Sequence, residues 1–165
     1  MQTTPFLPLS STIKWVTIIA SIIILGSIIY LGYEWYLHKQ LTMLITLIIL
    51  AIAMLSVTVI IPRKVTVNQE HINIHLLAYK INISKDEILK IEHYPHGIES
   101  YRIVGAGGFF GNLGLFTSPV CGKHFSLITD PKDACIITRK TKMPVVVSVE
   151  DSSVFEDLVA IQEKE

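Results

Sequence analysis

Cys121 and His124 are the first residues in this sequence that could do chemistry together, a thiol three positions from an imidazole base. A working pair needs a third group to orient the base. Neither a G-x-S-x-G elbow nor a cysteine-family signature surrounds these two residues. Histidines at 38, 71, 75, 93, 96 and 124 invite a metal reading, since His71 and His75 stand four apart. Zinc needs three or four convergent ligands. His71 and His75 fall in an alternating segment that reads as strand, where they share a face but lie well apart. Glu70 and Glu92 adjoin histidines, and neighbouring strand residues point to opposite faces. The sequence therefore predicts no metal, no cofactor and no catalytic set. The sequon formed by Asn82 and Ser84 carries no weight in a strand facing the cytosol.

The glycines at 105, 107, 108 and 111 resemble a phosphate cradle at first sight. Such a cradle needs a helix starting at the glycines, so that its first amides face the phosphate. Here Gly114 and Pro119 follow, with no amphipathic pattern and no Lys-Ser/Thr pair. The structural reading is that the glycines permit bends and close backbone packing while Phe109, Phe110, Leu113, Leu115 and Phe116 fill the core. The functional alternative leaves Phe109, Phe110, Leu113 and Phe116 as a contact surface for the bilayer or a partner. Arg63, Lys64, Arg139, Lys140 and Lys142 are the basic residues that could face an anionic leaflet. Specific lipid recognition would be redundant in a chain already held at the membrane.

The elements that must position these residues divide the chain in two. Of the 165 residues, 50% are hydrophobic, and up to Ile61 the only formal charges are Lys14, Glu34 and Lys39. All remaining charges lie from Arg63 onward, mixed in sign around a net charge of zero, so no basic field points to nucleic acid. Residues 15–33 and 41–61 are charge-free. A hydrocarbon core roughly 30 Å thick takes about 20 apolar residues as helix, so both runs are long enough to span. Their many β-branched residues favour strand in water, but in lipid only a helix pairs its own backbone. A cleaved signal is the competing reading of the first run, which is too long for an h-region and lacks a small-x-small exit.

Residues 34–40 alone separate the runs, which predicts a tight hairpin with Trp15, Tyr30, Tyr33, Trp35 and Tyr36 near the headgroups. Arg63 and Lys64 after the second run, and Lys14 before the first, put both termini in the cytoplasm. The expected domains are a hairpin at 1–62 and a cytoplasmic domain at 63–165. There, Cys121 and Cys135 would be reduced thiols.

From Lys64 the period changes to two, with short alternating runs at 64–67, 72–76, 79–83, 88–94, 101–104, 123–129, 134–139 and 145–149, broken by polar turns. This predicts a sandwich or barrel of about seven antiparallel strands. Ser153 with Glu156 is a capping-box pattern. Val154, Phe155, Leu158, Val159 and Ile161 then recur at helical spacing, so one helix closes the domain.

The glycine-rich segment from Arg102 to Phe116 with its paired phenylalanines, the Thr129-Asp130 turn, and the acidic stretch from Ser148 to Phe155 together resemble a branch of the bacterial pleckstrin-homology-like (PH-like) domain proteins. The likeness covers residues 64–162 and leaves the apolar runs unexplained. Val149 stands where a proline is expected before the last helix. The resemblance implies a PH-like roll or barrel with a C-terminal capping helix and no catalytic residues.

These readings lead to one expectation and one alternative. The expectation is a non-enzymatic, membrane-anchored module of the bacterial inner membrane that binds an unidentified membrane or cytoplasmic protein, or itself. The alternative is an auxiliary or regulatory subunit of a membrane enzyme or transporter, engaged through its hairpin.

Overall fold

A computed structural model of the chain describes residues 2–6, 8–68, 70–95, 97, 99–132, 134–150 and 155. Two helices dominate the first third: α1 (Ser11–His38) and α2 (Leu41–Val59). Ser10 caps α1 by accepting the Ile13 N–H on its hydroxyl at 3.4 Å. Lys39 ends it in the left-handed region at φ 51, its N–H donating to the Trp35 carbonyl at 2.8 Å. Glu34 to His38, which the sequence assigns to the loop, is helical, and only Lys39 and Gln40 turn the chain. Lys39 folds back over the Trp35 and Tyr36 rings, 4.6 and 4.8 Å from their centroids.

At about 1.5 Å per residue the helices are roughly 42 and 28 Å long, enough to cross a bilayer. Neither is the core of a soluble domain, since in their most apolar windows only 6% of α1 and 0% of α2 residues are buried. Four of their hydroxyls bond back within the same helix: Ser27 donates to Ile23, Thr46 to Thr42, Ser56 to Ile52 and Thr58 to Leu55. A hydroxyl in hydrocarbon needs such a partner.

The rest of the chain is mainly β. Strand β1 (Gln2–Pro5) precedes the helices; β2 (Pro62–Val67), β3 (His71–Leu76) and β4 (Lys80–Ser84) follow them. These form a four-stranded antiparallel sheet in the order β1-β2-β3-β4. A 3-10 turn (Lys85–Glu87) leads to β5 (Ile88–Tyr94), β6 (Tyr101–Gly107), β7 (Asn112–Ser118), β8 (Gly122–Ile128), β9 (Ala134–Arg139) and β10 (Val145–Ser148). Their order is β5-β9-β10-β8-β7-β6.

A mainly β domain after an apolar hairpin is what the patterning predicts, with three differences. Among the described residues nine strands follow α2 rather than about seven. The ladder between β8 and β10 is parallel, because β9 lies beyond β10 rather than between the two. β1 belongs to the domain although it precedes the hairpin, with Gln2 opposite Val67 and Pro5 opposite Lys64. The closing helix expected from Ser153 lies outside the described residues, apart from Phe155, which is buried in the core.

The larger of two buried apolar clusters lies between the sheets, built from Val65, Ile72, Ile74 and Ile83 on one side and Leu113, Leu127, Ile137, Val145 and Val147 on the other; Tyr94, Ile128, Ala134, Ile136 and Val146 form the smaller. Val57, Ile60 and Ile61, at the end of α2, pack against the larger. The segment after β1 joins the sheets: Phe6 bridges Val149, and the Ser10 N–H donates to the Thr129 carbonyl at 3.4 Å.

Candidate functional site

The glycine-rich segment is a hairpin of β6 and β7 whose tip meets α1. Gly105 and Gly114 are cross-strand partners at φ 128 and 123. A Cβ on Gly105 would lie 2.1 Å from the Leu113 carbonyl oxygen, and one on Gly114 would lie 2.5 Å from that of Val104. No side chain fits there. The segment cradles nothing: its glycines let two backbones approach each other. Leu113 and Phe116 are 0% and 2% exposed, which takes both out of a contact surface.

Phe109 and Phe110 are half-buried, edge to face at 4.7 Å, and pack on the core. The Phe110 N–H donates to the Thr17 hydroxyl of α1 at 3.0 Å, and Phe110 holds a left-handed φ of 58. Val16 lies 3.6 Å from where a Gly108 Cβ would stand. The tip therefore sits at the second turn of α1.

The nucleophilic pair is not assembled. The Cys121 sulfur lies 3.4 Å from the Ser118 hydroxyl. His124 is wholly buried and, with its proton on Nδ1, donates to the Gly122 carbonyl at 2.9 Å. Its Nε2 and the Tyr94 hydroxyl are buried without a hydrogen-bond partner among the described residues. Their rings stand 6.2 Å apart, with Phe116 stacked 6.5 Å from the imidazole. Burial lowers the His124 pKa, and the Gly122 bond opposes that only partly.

No cluster of three metal-ligating side chains exists among the described residues. His71 and His75 lie half-exposed on β3. A cleft of about 310 Å³ is lined by Glu70, His71, Ser84, Lys85 and Asp86, in the turns remote from the helices. Charges of both signs meet there without converging on a point. The basic residues split between two places. Arg63 and Lys64 stand exposed where α2 leads into β2. Arg139, Lys140 and Lys142 gather instead around Glu87. Lys142 reaches the Glu87 carboxylate at 2.9 Å and, by that hydrogen bond first, holds it below the usual carboxylate range; Arg139 adds to the effect. Arg139 also donates to the Met143 carbonyl, and desolvation lowers its own pKa.

Thr129 and Ser148 come together through the parallel β8–β10 ladder. Ser148 is 0% exposed and its hydroxyl accepts the Thr129 N–H at 2.8 Å, with the two hydroxyls 2.9 Å apart. Asp130 accepts the Lys132 N–H at 3.0 Å and shapes the turn that follows. These residues close the end of the domain from which the helices leave.

Two apolar surfaces escaped the sequence reading. β6 is an edge strand with Tyr101, Ile103 and Val104 exposed at 62%, 44% and 67%. The β3–β4 turn exposes Leu77 and Tyr79 at 45% and 44%, and partial burial raises the Tyr79 pKa. An edge strand cannot be told from a central one by alternation alone, so the available signal was the unbroken apolar Ile103-Val104 step and the absence of polar residues at 77–79. A family model described as bacterial PH domain matches residues 63–162. No curated protein and no solved structure matches the chain.

Proposed function

Since the chain belongs to the bacterial PH domain family, we propose that it is a membrane-anchored interaction module that binds another protein, or a second copy of itself, through the edge of β6. PH domains are generally non-enzymatic modules of protein or lipid interaction. The observation that carries the proposal is the β6 edge. An edge strand offers unpaired backbone groups to an incoming strand, and exposed Tyr101, Ile103 and Val104 supply the apolar area that gives such an addition its specificity. The register shift between Arg102 and Val104 bends the edge, which limits indiscriminate pairing. Phe109 and Phe110, half-buried at the tip of the same hairpin, extend the surface toward the membrane.

The anchor is the helical pair, crossing the bacterial inner membrane twice with both termini in the cytoplasm and Lys39 outside. Two observations support this arrangement. Arg63 and Lys64 follow α2 directly. β1, before α1, pairs with β2, after α2, so both ends of the hairpin lie on one side. A membrane-impermeant maleimide applied to intact cells should label His38→Cys and leave Glu92→Cys unlabelled until lysis. The reverse pattern refutes the orientation.

The interaction is tested by photo-crosslinking in native membranes from positions 101 and 104, with position 90 on β5 as the comparison. Discrete adducts from β6, lost with Val104→Lys, are the expected result. If no adduct forms from β6, the interaction module is refuted. Adducts from probes in α2 alone would favour the other reading, an auxiliary subunit of a membrane enzyme or transporter held through the hairpin. That reading draws support from apolar side chains such as Ile22, Ile29, Ile49 and Leu55, which remain exposed on the helices.

A further inference from the structure

The hairpin joining β3 to β4 has a tip without turn chemistry. The Leu76 N–H donates to the Tyr79 carbonyl at 2.8 Å, so Leu77 and Ala78 are the corner residues. Two-residue hairpin corners ordinarily carry Gly, Asn or Asp, because the favoured turns need positive φ. Among the described residues outside glycine, positive φ occurs only at Lys39 and Phe110, so this corner is built otherwise. It is also apolar and unburied: Leu77 and Tyr79 are exposed by nearly half, and Ala78 and Lys80 are exposed too. In water such a tip has nothing to recommend it.

Its position supplies the reason. The Leu77 N–H donates to the Ile61 carbonyl at 2.9 Å, and Pro62 lies opposite Leu76. Ile61 is two residues beyond the last residue of α2, so the tip stands level with the point where that helix ends. One residue behind the apolar corner the charges are all basic: Lys80 on β4, with Arg63 and Lys64 exposed on β2. Apolar side chains in front and a basic collar behind match the order of a membrane surface, acyl boundary first and anionic headgroups second.

We propose that the 77–79 tip is a bilayer-docking element, seated between headgroups and acyl chains beside the end of α2, with Arg63, Lys64 and Lys80 meeting anionic headgroups. The proposal rests on α2 crossing a membrane and adds a second point of contact to it. The β domain is then fixed in tilt against the lipid surface, with the 77–79 tip at one place and the Phe109-Phe110 tip beside α1 at another.

Tryptophan quenching by brominated lipid tests both levels separately. The full chain is reconstituted in nanodiscs of anionic lipid brominated along the acyl chain. In the unaltered chain, Trp15 and Trp35 report the anchor. In a background of Trp15→Phe and Trp35→Phe, Leu77→Trp and, as a milder aromatic exchange, Tyr79→Trp report the tip. Leu89→Trp, exposed at the opposite end of the domain, is the control. Quenching of Leu77→Trp and Tyr79→Trp by about half, with a blue-shifted emission, is the expected result for a depth within roughly 10 Å of the headgroup boundary. Leu89→Trp should stay unquenched. Quenching of the native tryptophans with both tip variants red-shifted and unquenched overturns the docking, leaves the anchor standing, and frees the tip for a protein partner. Equal quenching of Leu89→Trp overturns the assignment to the tip, and loss of all quenching removes the anchor as well.

Discussion

Gly105 and Gly114 show how much a missing methyl group decides. With φ near 125 at both and carbonyl oxygens within 2.5 Å of where side chains would begin, any substitution must push the β6 and β7 backbones apart. Gly105→Ala should lower the unfolding midpoint of the detergent-solubilised chain and cost about 2–4 kcal/mol. Gly107→Ala, whose new methyl would meet the Arg102 side chain at 3.8 Å and the Asn112 Oδ1 at 4.0 Å, both ordinary contacts, should be close to neutral in the same measurement.

His124 makes a prediction in pH. Burial holds its folded-state pKa below the ordinary 6.5, so the unfolded chain binds the extra proton first as pH falls. Its stabilising contribution is whole above about 6.5 and declines below it, until the folded state also takes up the proton. Unfolding midpoints measured from pH 7.5 to 5 should fall more steeply for the natural chain than for His124→Phe. The glycines were visible in the sequence as a cluster. That two of them face each other across a ladder was not, because pairing is a property of register rather than of composition.

At the scale of elements, legibility followed locality. The helices were readable because each run is unbroken, apolar and long enough for a span on its own, with no partner needed to recognise it. Strands β2 to β5 were readable from alternation, which needs no knowledge of a partner. β7 was missed as a strand because Gly114 and the preceding glycines read as breaks, whereas close packing requires them there. β1 was missed because Gln2–Pro5 is short and ends in proline; its strand character comes from β2 alone. The glycine-rich segment was half legible: the Phe pair reaches the surface of the domain, while Leu113 is buried between the sheets and Phe116, three residues on and so on the opposite face of β7, is buried against His124.

The element that joins the two halves is the end of α2, where Val57, Ile60 and Ile61 cover the core of the β domain. A chain starting at Pro62 loses that cover together with β1. It should exchange its β2 amides roughly 10–100-fold faster than the full chain, as read by hydrogen–deuterium exchange.

At the scale of the whole molecule, the apolar hairpin runs directly into the core of the β domain. Only Ile60 and Ile61 separate the apolar helix from the β domain: α2 ends at Val59 and β2 begins at Pro62. After lysis the protein should sediment with membranes, resist extraction by alkaline carbonate and high salt, and enter solution only with detergent. Release by carbonate alone would show that the helices lie on the membrane rather than within it, since only a crossing helix is held by its full apolar length.

The pairing of β1 with β2 also sets a timetable for synthesis. The first strand leaves the ribosome with no partner, and its partner is translated only after both helices have been made. At about 5–20 residues per second the wait is on the order of 3–10 s. With the hairpin crossing a bilayer as proposed above, β1 must stay on the ribosome's side of the lipid during that interval while the hairpin inserts as a unit. An insertion route that carried the leading end across first would strand β1 where β2 never arrives, and the domain would finish folding one strand short.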